Sequence, residues 1–212
     1  MSKNNLNLKR RKILNESKKY VVTNGWNESL FKSITKNKIF KIDEILILFP
    51  EGYLSLLKFY LKELNIDMTS SAINLDLTRM KTHQRIREII LIRLNIKQNE
   101  KDLIKRTYFT LLLPKHFNIL LMSLYNIVDQ IWFIAGDNST DFNFYSKRAI
   151  LATVYSSTVL YWINNENFEE TKKFLDKQLK KISKIPQIKK QIKNVSSFLH
   201  QAKRIIIYSP KQ

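Results

Sequence analysis

The densest set of polar groups that could act together surrounds a short loop in the second half of the chain. Asp137 and Asp141 stand four residues apart, and Tyr145 and Arg148 follow on what reads as the start of a helix. Paired carboxylates can do acid–base work. Nothing beside them supplies a nucleophile, a metal or a cofactor cradle, so the residues point to a structural ion-pair network, Asp141 with Arg148 or Tyr145. The loop Gly136-Asp137-Asn138-Ser139-Thr140-Asp141-Phe142-Asn143 places oxygens at alternate positions, as a calcium loop does. An EF-hand needs glycine sixth and glutamate twelfth, and counted from Asp137 those places hold Phe142 and Arg148. A helix-ending glycine followed by a cap for the next helix is the better reading of Gly136, Asp137, Ser139, Thr140 and Asp141.

Composition removes other chemistries. The 212-residue chain has no cysteine, so thiolate zinc sites and cysteine nucleophiles are excluded. His83, His116 and His200 are scattered. Three glycines cannot write a phosphate-cradling loop. The expectation is therefore a protein with no catalytic residue, no metal and no cofactor.

The elements that position these residues read as helices. With three glycines and four prolines the chain lacks the punctuation of tight-turned sheets, and an all-α fold of about ten helices is expected. Helices are expected over 9–23, from Asn27 to about 37, and over 43–49. A fourth runs from Gly52 to about Leu64, followed by 76–94, 100–113, 116–135, 141–164 and 168–185. The stretch 187–207 is the clearest amphipathic one, with Ile188, Ile192, Val195, Leu199, Ala202 and Ile206 on one stripe. Three parts follow: an N-terminal unit over 1–65, a helical core over 66–186, and an amphipathic helix with its tail over 187–212. Arg79, Arg85, Arg87 and Arg93 read as a solvated face. Phe117 to Ala135 is long and apolar enough to span a bilayer, but Asn118, Asn126 and Asp129 interrupt it, so a buried central helix is expected.

The first 65 residues have the order of the helix-turn-helix unit of TetR-type regulators. The helix in the recognition position, Ile42-Asp43-Glu44-Ile45-Leu46-Ile47-Leu48-Phe49, offers two acids and a row of aliphatics. Groove reading calls for arginine, lysine, asparagine or glutamine there. The shape is present without the chemistry, and specific nucleic-acid binding is not expected.

Charge is the strongest compositional signal. The chain carries 37 basic and 18 acidic residues, net +19. From Thr171 to the end, eleven lysines and Arg204 stand against the single acid Asp176. Such a field attracts polyanions, either nucleic acid or an anionic membrane surface. Lys189, Lys190, Lys193, Phe198, Lys203, Arg204 and Ile206 are the candidate membrane-binding residues. Helical periodicity begins by about residue 10, which leaves no room for a cleavable leader.

Trp132 and Phe133 are adjacent, so they point about 100° apart on a helix and cannot both face one core. Trp132 is expected to be partly exposed on a surface used by another protein. Leu120, Leu124, Val128, Leu151, Val154 and Tyr155 either fill a core or line a cavity for an apolar ligand.

The segment Val128-Asp129-Gln130-Ile131-Trp132-Phe133-Ile134-Ala135-Gly136-Asp137-Asn138-Ser139-Thr140-Asp141-Phe142-Asn143-Phe144-Tyr145-Ser146-Lys147-Arg148-Ala149 closely resembles one family. This is the lipid-binding accessory protein family of ubiquinone biosynthesis, which has a TetR-like fold. The resemblance continues through 151–158 and Phe174-Leu175-Asp176, and more weakly through Gly25-Trp26, Leu48 to Gly52 and Arg85 to Leu94. Gln130, Phe133 and Phe144 depart from the acid, tyrosine and tryptophan usual at those places. The resemblance implies a homodimer with no enzymatic activity that binds isoprenoid lipid at the membrane. It would present quinone precursors to the di-iron demethoxyubiquinone hydroxylase, docking through Asp129, Trp132 and Phe133. The implied location is the bacterial cytoplasm, peripheral on the inner membrane. The alternative is a TetR-type DNA-binding transcriptional regulator that senses a lipid.

Overall fold

Glycine and capping residues divide the chain into helices much as the sequence suggests. The structure is a computed structural model that describes residues 3–77, 79–137 and 142–183. Among these residues there are nine α-helices and no strand. They are α1 (Lys3–Asn24), α2 (Leu30–Thr35), α3 (Ile42–Leu48), α4 (Tyr53–Ile73), α5 (Thr82–Asn95), α6 (Lys101–Leu111), α7 (Phe117–Ile134), α8 (Phe142–Ile163) and α9 (Phe168–Ser183). The expected helix over 187–207, with its membrane-binding residues, lies outside the described residues.

Two apolar cores share one long helix. The first gathers Ile13, Val21, Trp26, Phe31, Ile34, Ile45 and Phe49 from α1–α3 and their connections around Tyr53, Leu57, Tyr60 and Leu64 of α4. The second gathers Ile86, Ile89 and Ile90 of α5, Ile127, Val128 and Ile131 of α7, Leu151, Val154 and Trp162 of α8 and Leu175 of α9. Met68 and Ala72 of α4 join the second core. α4 therefore runs nine residues beyond its expected end at Leu64, and residue 65 falls inside it. Leu64, Met68 and Ala72 keep the four-residue step on the buried side, and this tertiary burial overrides the polar Asn65 and Asp67.

α5 starts later than expected, at Thr82, because the Gln84 side chain accepts a hydrogen bond from the Lys81 N–H at 2.9 Å and closes a capping box. The arginines of this helix are not all on a solvated face. Arg93 is 5% exposed and donates to the Tyr155 hydroxyl (2.7 Å), the Leu64 carbonyl (2.9 Å) and Asn65 Oδ1 (2.8 Å). It ties α5 to α4 and α8.

The largest difference concerns α7. Its buried residues are Ile127, Val128 and Ile131, all in its C-terminal half. Phe117, Leu121, Met122 and Tyr125 are exposed, as is Phe133. Pro114–Ile134 is the one stretch among the described residues long and apolar enough to cross a membrane, yet it is not the buried central helix expected. Periodicity shows which positions share a face; it does not show whether a neighbour exists to cover that face.

Candidate functional site

The corner between α7 and α8 is built by a helix stop and four charges. Gly136 sits at φ +83°, where its N–H donates to the Phe133 carbonyl at 3.0 Å. The Asp137 N–H donates to the Trp132 carbonyl at the same distance. This is a Schellman ending, which favours glycine because other residues pay for a left-handed conformation. A Cβ at position 136 would also come within 3.1 Å of the Arg85 guanidinium. Arg85 itself donates to the Ala135 carbonyl at 3.1 Å and so holds the corner to α5.

Asp137 then turns its carboxylate inward, its side chain only 6% exposed. Lys147 Nζ lies 2.8 Å from it and the Arg148 guanidinium 3.6 Å. Arg148, nearly buried, also bonds Asp129 at 2.7 Å and lies over the Phe144 ring. The network is thus Asp129–Arg148–Asp137–Lys147, linking α7, the corner and α8. Arg148 meets these two acids, while Ser139, Thr140 and Asp141, and with them the expected Asp141 partnership, lie outside the described residues. Tyr145 is exposed, with its ring against Phe144. The sequence reading missed the role of Lys147 and the pairing of Asp129 with Arg148. These residues lie 19 apart in the chain, one on α7 and the other on α8.

The aromatic pair divides as its geometry requires. Phe133 is 74% exposed. Trp132 is half-buried against the second core, with Lys147 Nζ 5.5 Å from its ring centre. The indole N–H is buried and has no hydrogen-bond partner among the described residues.

Two grooves flank this corner. One, of about 550 Å³, has Trp132, Ile86, Ile150, Leu151 and Leu179 for its apolar wall and His83, Lys147, Asp176 and Lys180 among its polar residues. Arg87 lies at the same groove, and its hydrogen bond to Asp176 raises the pKa of the guanidinium further. The other groove, of about 760 Å³, runs between α4 and α7 and is lined by Lys58, Lys62, Asn65, Asn118, Asn126 and Asp129, among others. Of the six candidate lipid-lining residues, Leu151 lines the first groove. Leu120 and Leu124 line an internal cavity of about 30 Å³. Val128, Val154 and Tyr155 are packed in the second core. The structure therefore does not bring the six together around one large space. No group of acidic, histidine or cysteine side chains among the described residues could hold a metal.

Residues 117–186 match the COQ9 family model. The chain is 34% identical over 125 residues to the mitochondrial ubiquinone biosynthesis protein COQ9 of Rattus norvegicus, covering 58% of this chain and 40% of that one. It is 25% identical over 207 residues to the probable ubiquinone biosynthesis protein coq9 of Dictyostelium discoideum, covering 91% of this chain and 67% of that one. The chain thus spans less than half the length of the rat relative. Its fold is similar to the crystal structure of a TetR transcriptional regulator from Nitrosomonas europaea ATCC 19718, with a TM-score of 0.67 and 18% identity over 81% of this chain and 95% of that one. The corner built by Asp129, Gly136, Asp137 and Arg148 therefore lies in a segment that matches the COQ9 family model, and the chain is similar to COQ9 ubiquinone biosynthesis proteins on a TetR-like all-α fold.

Proposed function

We propose that this chain is a non-enzymatic lipid-binding protein that takes isoprenoid quinone precursors at the membrane and presents them to the demethoxyubiquinone hydroxylase. The observation that carries the reading is the outer face of α7. Phe117, Leu121, Met122, Tyr125 and Phe133 stand in solvent on a helix whose other face is packed, and this face ends beside the groove under Trp132. Exposed apolar patches of this kind mark interaction surfaces. The groove has the size of a small-molecule site and pairs an apolar wall with charged groups, which suits an isoprenoid tail with a polar ring.

The physical task is clear. Moving a polyprenyl tail from bilayer to water costs about 0.8 kcal/mol per CH₂. A protein that stays on the membrane and accepts the precursor there avoids most of that cost. In this reading the chain works as a homodimer, Asp129, Trp132 and Phe133 face the hydroxylase, and 187–207 holds an anionic membrane surface. The compartment is the cytoplasmic side of a bacterial inner membrane, where the quinone pathway would meet this protein.

The likeness to a TetR regulator favours a second reading, a lipid-sensing DNA-binding protein. Against it, α3 turns Ile42, Asp43, Leu46 and Ile47 outward, and these side chains have little to offer a base edge. The lipid-binding reading is tested by extracting the purified full-length chain with organic solvent and analysing the extract by mass spectrometry. An isoprenoid lipid or quinone precursor in about stoichiometric amount is expected. An extract with no isoprenoid species, after expression in a quinone-producing host, contradicts it.

A further inference from the structure

The most conspicuous surface that the proposed function leaves unused is the outer side of the helix-turn-helix unit. α3 is anchored by Ile45, Leu48 and Phe49, all buried. On its outer side and in the preceding turn, Ile39, Ile42, Leu46 and Ile47 are 62%, 39%, 44% and 79% exposed. Four large aliphatics within nine residues are an unusual thing to leave in water.

The turn that presents them is held, not loose. Lys38 adopts φ +57°, a left-handed conformation that is uncommon outside glycine. Its N–H donates to the Thr35 carbonyl at 3.0 Å. Next to it, the Asn37 side chain donates to Glu16 Oε1 at 3.2 Å and reaches the Tyr20 hydroxyl at 3.3 Å, which fixes the turn to α1.

Lysines surround the patch. Lys32, Lys36, Lys38 and Lys41 are exposed, and none forms an ion pair among the described residues. The acids nearby are few. Glu44 is taken up by Lys9, Glu16 by Lys19 and Asn37, Glu28 lies before the far end of α2, and Asp43 is the exposed acid of α3 itself.

We propose that the α2–α3 unit is a membrane-contact surface, whose aliphatics Ile39, Ile42, Leu46 and Ile47 enter an anionic bilayer while Lys32, Lys36, Lys38 and Lys41 meet the lipid phosphates. Charge complementarity selects this occupant. A second copy of the same patch would set lysine against lysine. A DNA duplex would satisfy the lysines but leave the aliphatics against phosphates and base edges that they cannot bond. An anionic bilayer satisfies both, because its surface attracts the cations and its interior takes the apolar side chains. The helix-turn-helix shape is thereby put to a use other than groove reading. This contact is separate from the one proposed for 187–207, and it rests on the proposed function only in taking the membrane as the place of action.

The absence of cysteine makes the test direct. A full-length Ile47→Cys chain carrying a polarity-sensitive nitrobenzoxadiazole label is mixed with phosphatidylcholine–phosphatidylglycerol vesicles and, separately, with pure phosphatidylcholine vesicles. The label at 47 should shift to the blue and brighten several-fold with the anionic vesicles alone. A label placed by Lys105→Cys, an exposed position of α6, should not. An unlabelled full-length Ile39→Ser/Ile47→Ser chain should melt as the parent does and bind the anionic vesicles about tenfold more weakly or worse. If the chain floats with anionic vesicles while the label at 47 stays in water, this contact is wrong and the attachment proposed for 187–207 stands. If the chain does not float at all, both fail. A response at 47 to random duplex DNA at about 200 mM salt, but not to vesicles, also overturns the proposal.

Discussion

A Phe133→Lys chain is expected to melt at the temperature of the parent chain and to lose the demethoxyubiquinone hydroxylase as a partner. Phe133 is 74% exposed, so its removal opens no cavity. It lies in the last turn of α7, where a cation faces the negative end of the helix dipole and is worth about 0.3–1 kcal/mol. The folded chain should be unharmed or slightly more stable. An exposed aromatic at the centre of an interface typically contributes about 2 kcal/mol or more, which is about a 30-fold loss of affinity. Lysine adds the desolvation of a charge to that loss. Co-purification of the tagged chain with the hydroxylase, beside thermal melting of each chain alone, reads both halves. Trp132 is a poorer probe, because its half-buried ring packs against the second core and a change there disturbs the fold. Undiminished co-purification of Phe133→Lys would move the docking surface off this end of α7.

Arg148→Met is expected to have the largest effect on stability among the corner residues. The guanidinium is nearly buried, bonds Asp129 at 2.7 Å and lies 3.6 Å from Asp137. Removing it leaves the inward-facing carboxylate of Asp137 with one cation fewer. Breaking a buried pair at one partner costs about 3–5 kcal/mol. Here the figure is smaller, about 2–3 kcal/mol, because Lys147 still serves Asp137 and the Asp129 side chain is 43% exposed. For a chain of this length that lowers the melting temperature by roughly 4–12 °C. Asp129→Asn should cost markedly less, since solvent screens that carboxylate. Thermal melting of the two variants and of the double variant gives the coupling. Equal losses for Arg148→Met and Asp129→Asn would show that the Asp137 contact adds nothing.

The contrast between these two residues shows what could be read in advance. Trp132 and Phe133 were separable because adjacent positions on any helix diverge, a local fact. Gly136 was legible as a helix stop for the same reason, and it takes a positive φ at the end of α7. Arg148 was recognisable as part of a network in the cluster with Asp137, but its second acid, Asp129, was not. Asp129 reaches it only because α8 packs along α7, and no periodicity records that distance. Arg93 was hidden in the same way. Its pattern is that of a surface arginine, and its burial depends on Tyr155 and Leu64 arriving from two other helices. The length of α4 was missed because Met68 and Ala72 are held by a core that local polarity does not reveal. The exposure of α7 was missed for the opposite reason, since an apolar face reads alike whether the neighbour is inside the chain or outside it.

In the proposed role the chain presents a membrane-held precursor to the hydroxylase. That role is decided by hydroxylation of demethoxyubiquinone by the purified hydroxylase in anionic vesicles, with and without the full-length chain. Addition of the chain should raise the rate while the chain alone produces no product, and Phe133→Lys should give no increase. A rate unchanged by the chain, or raised equally by Phe133→Lys, would rule that role out.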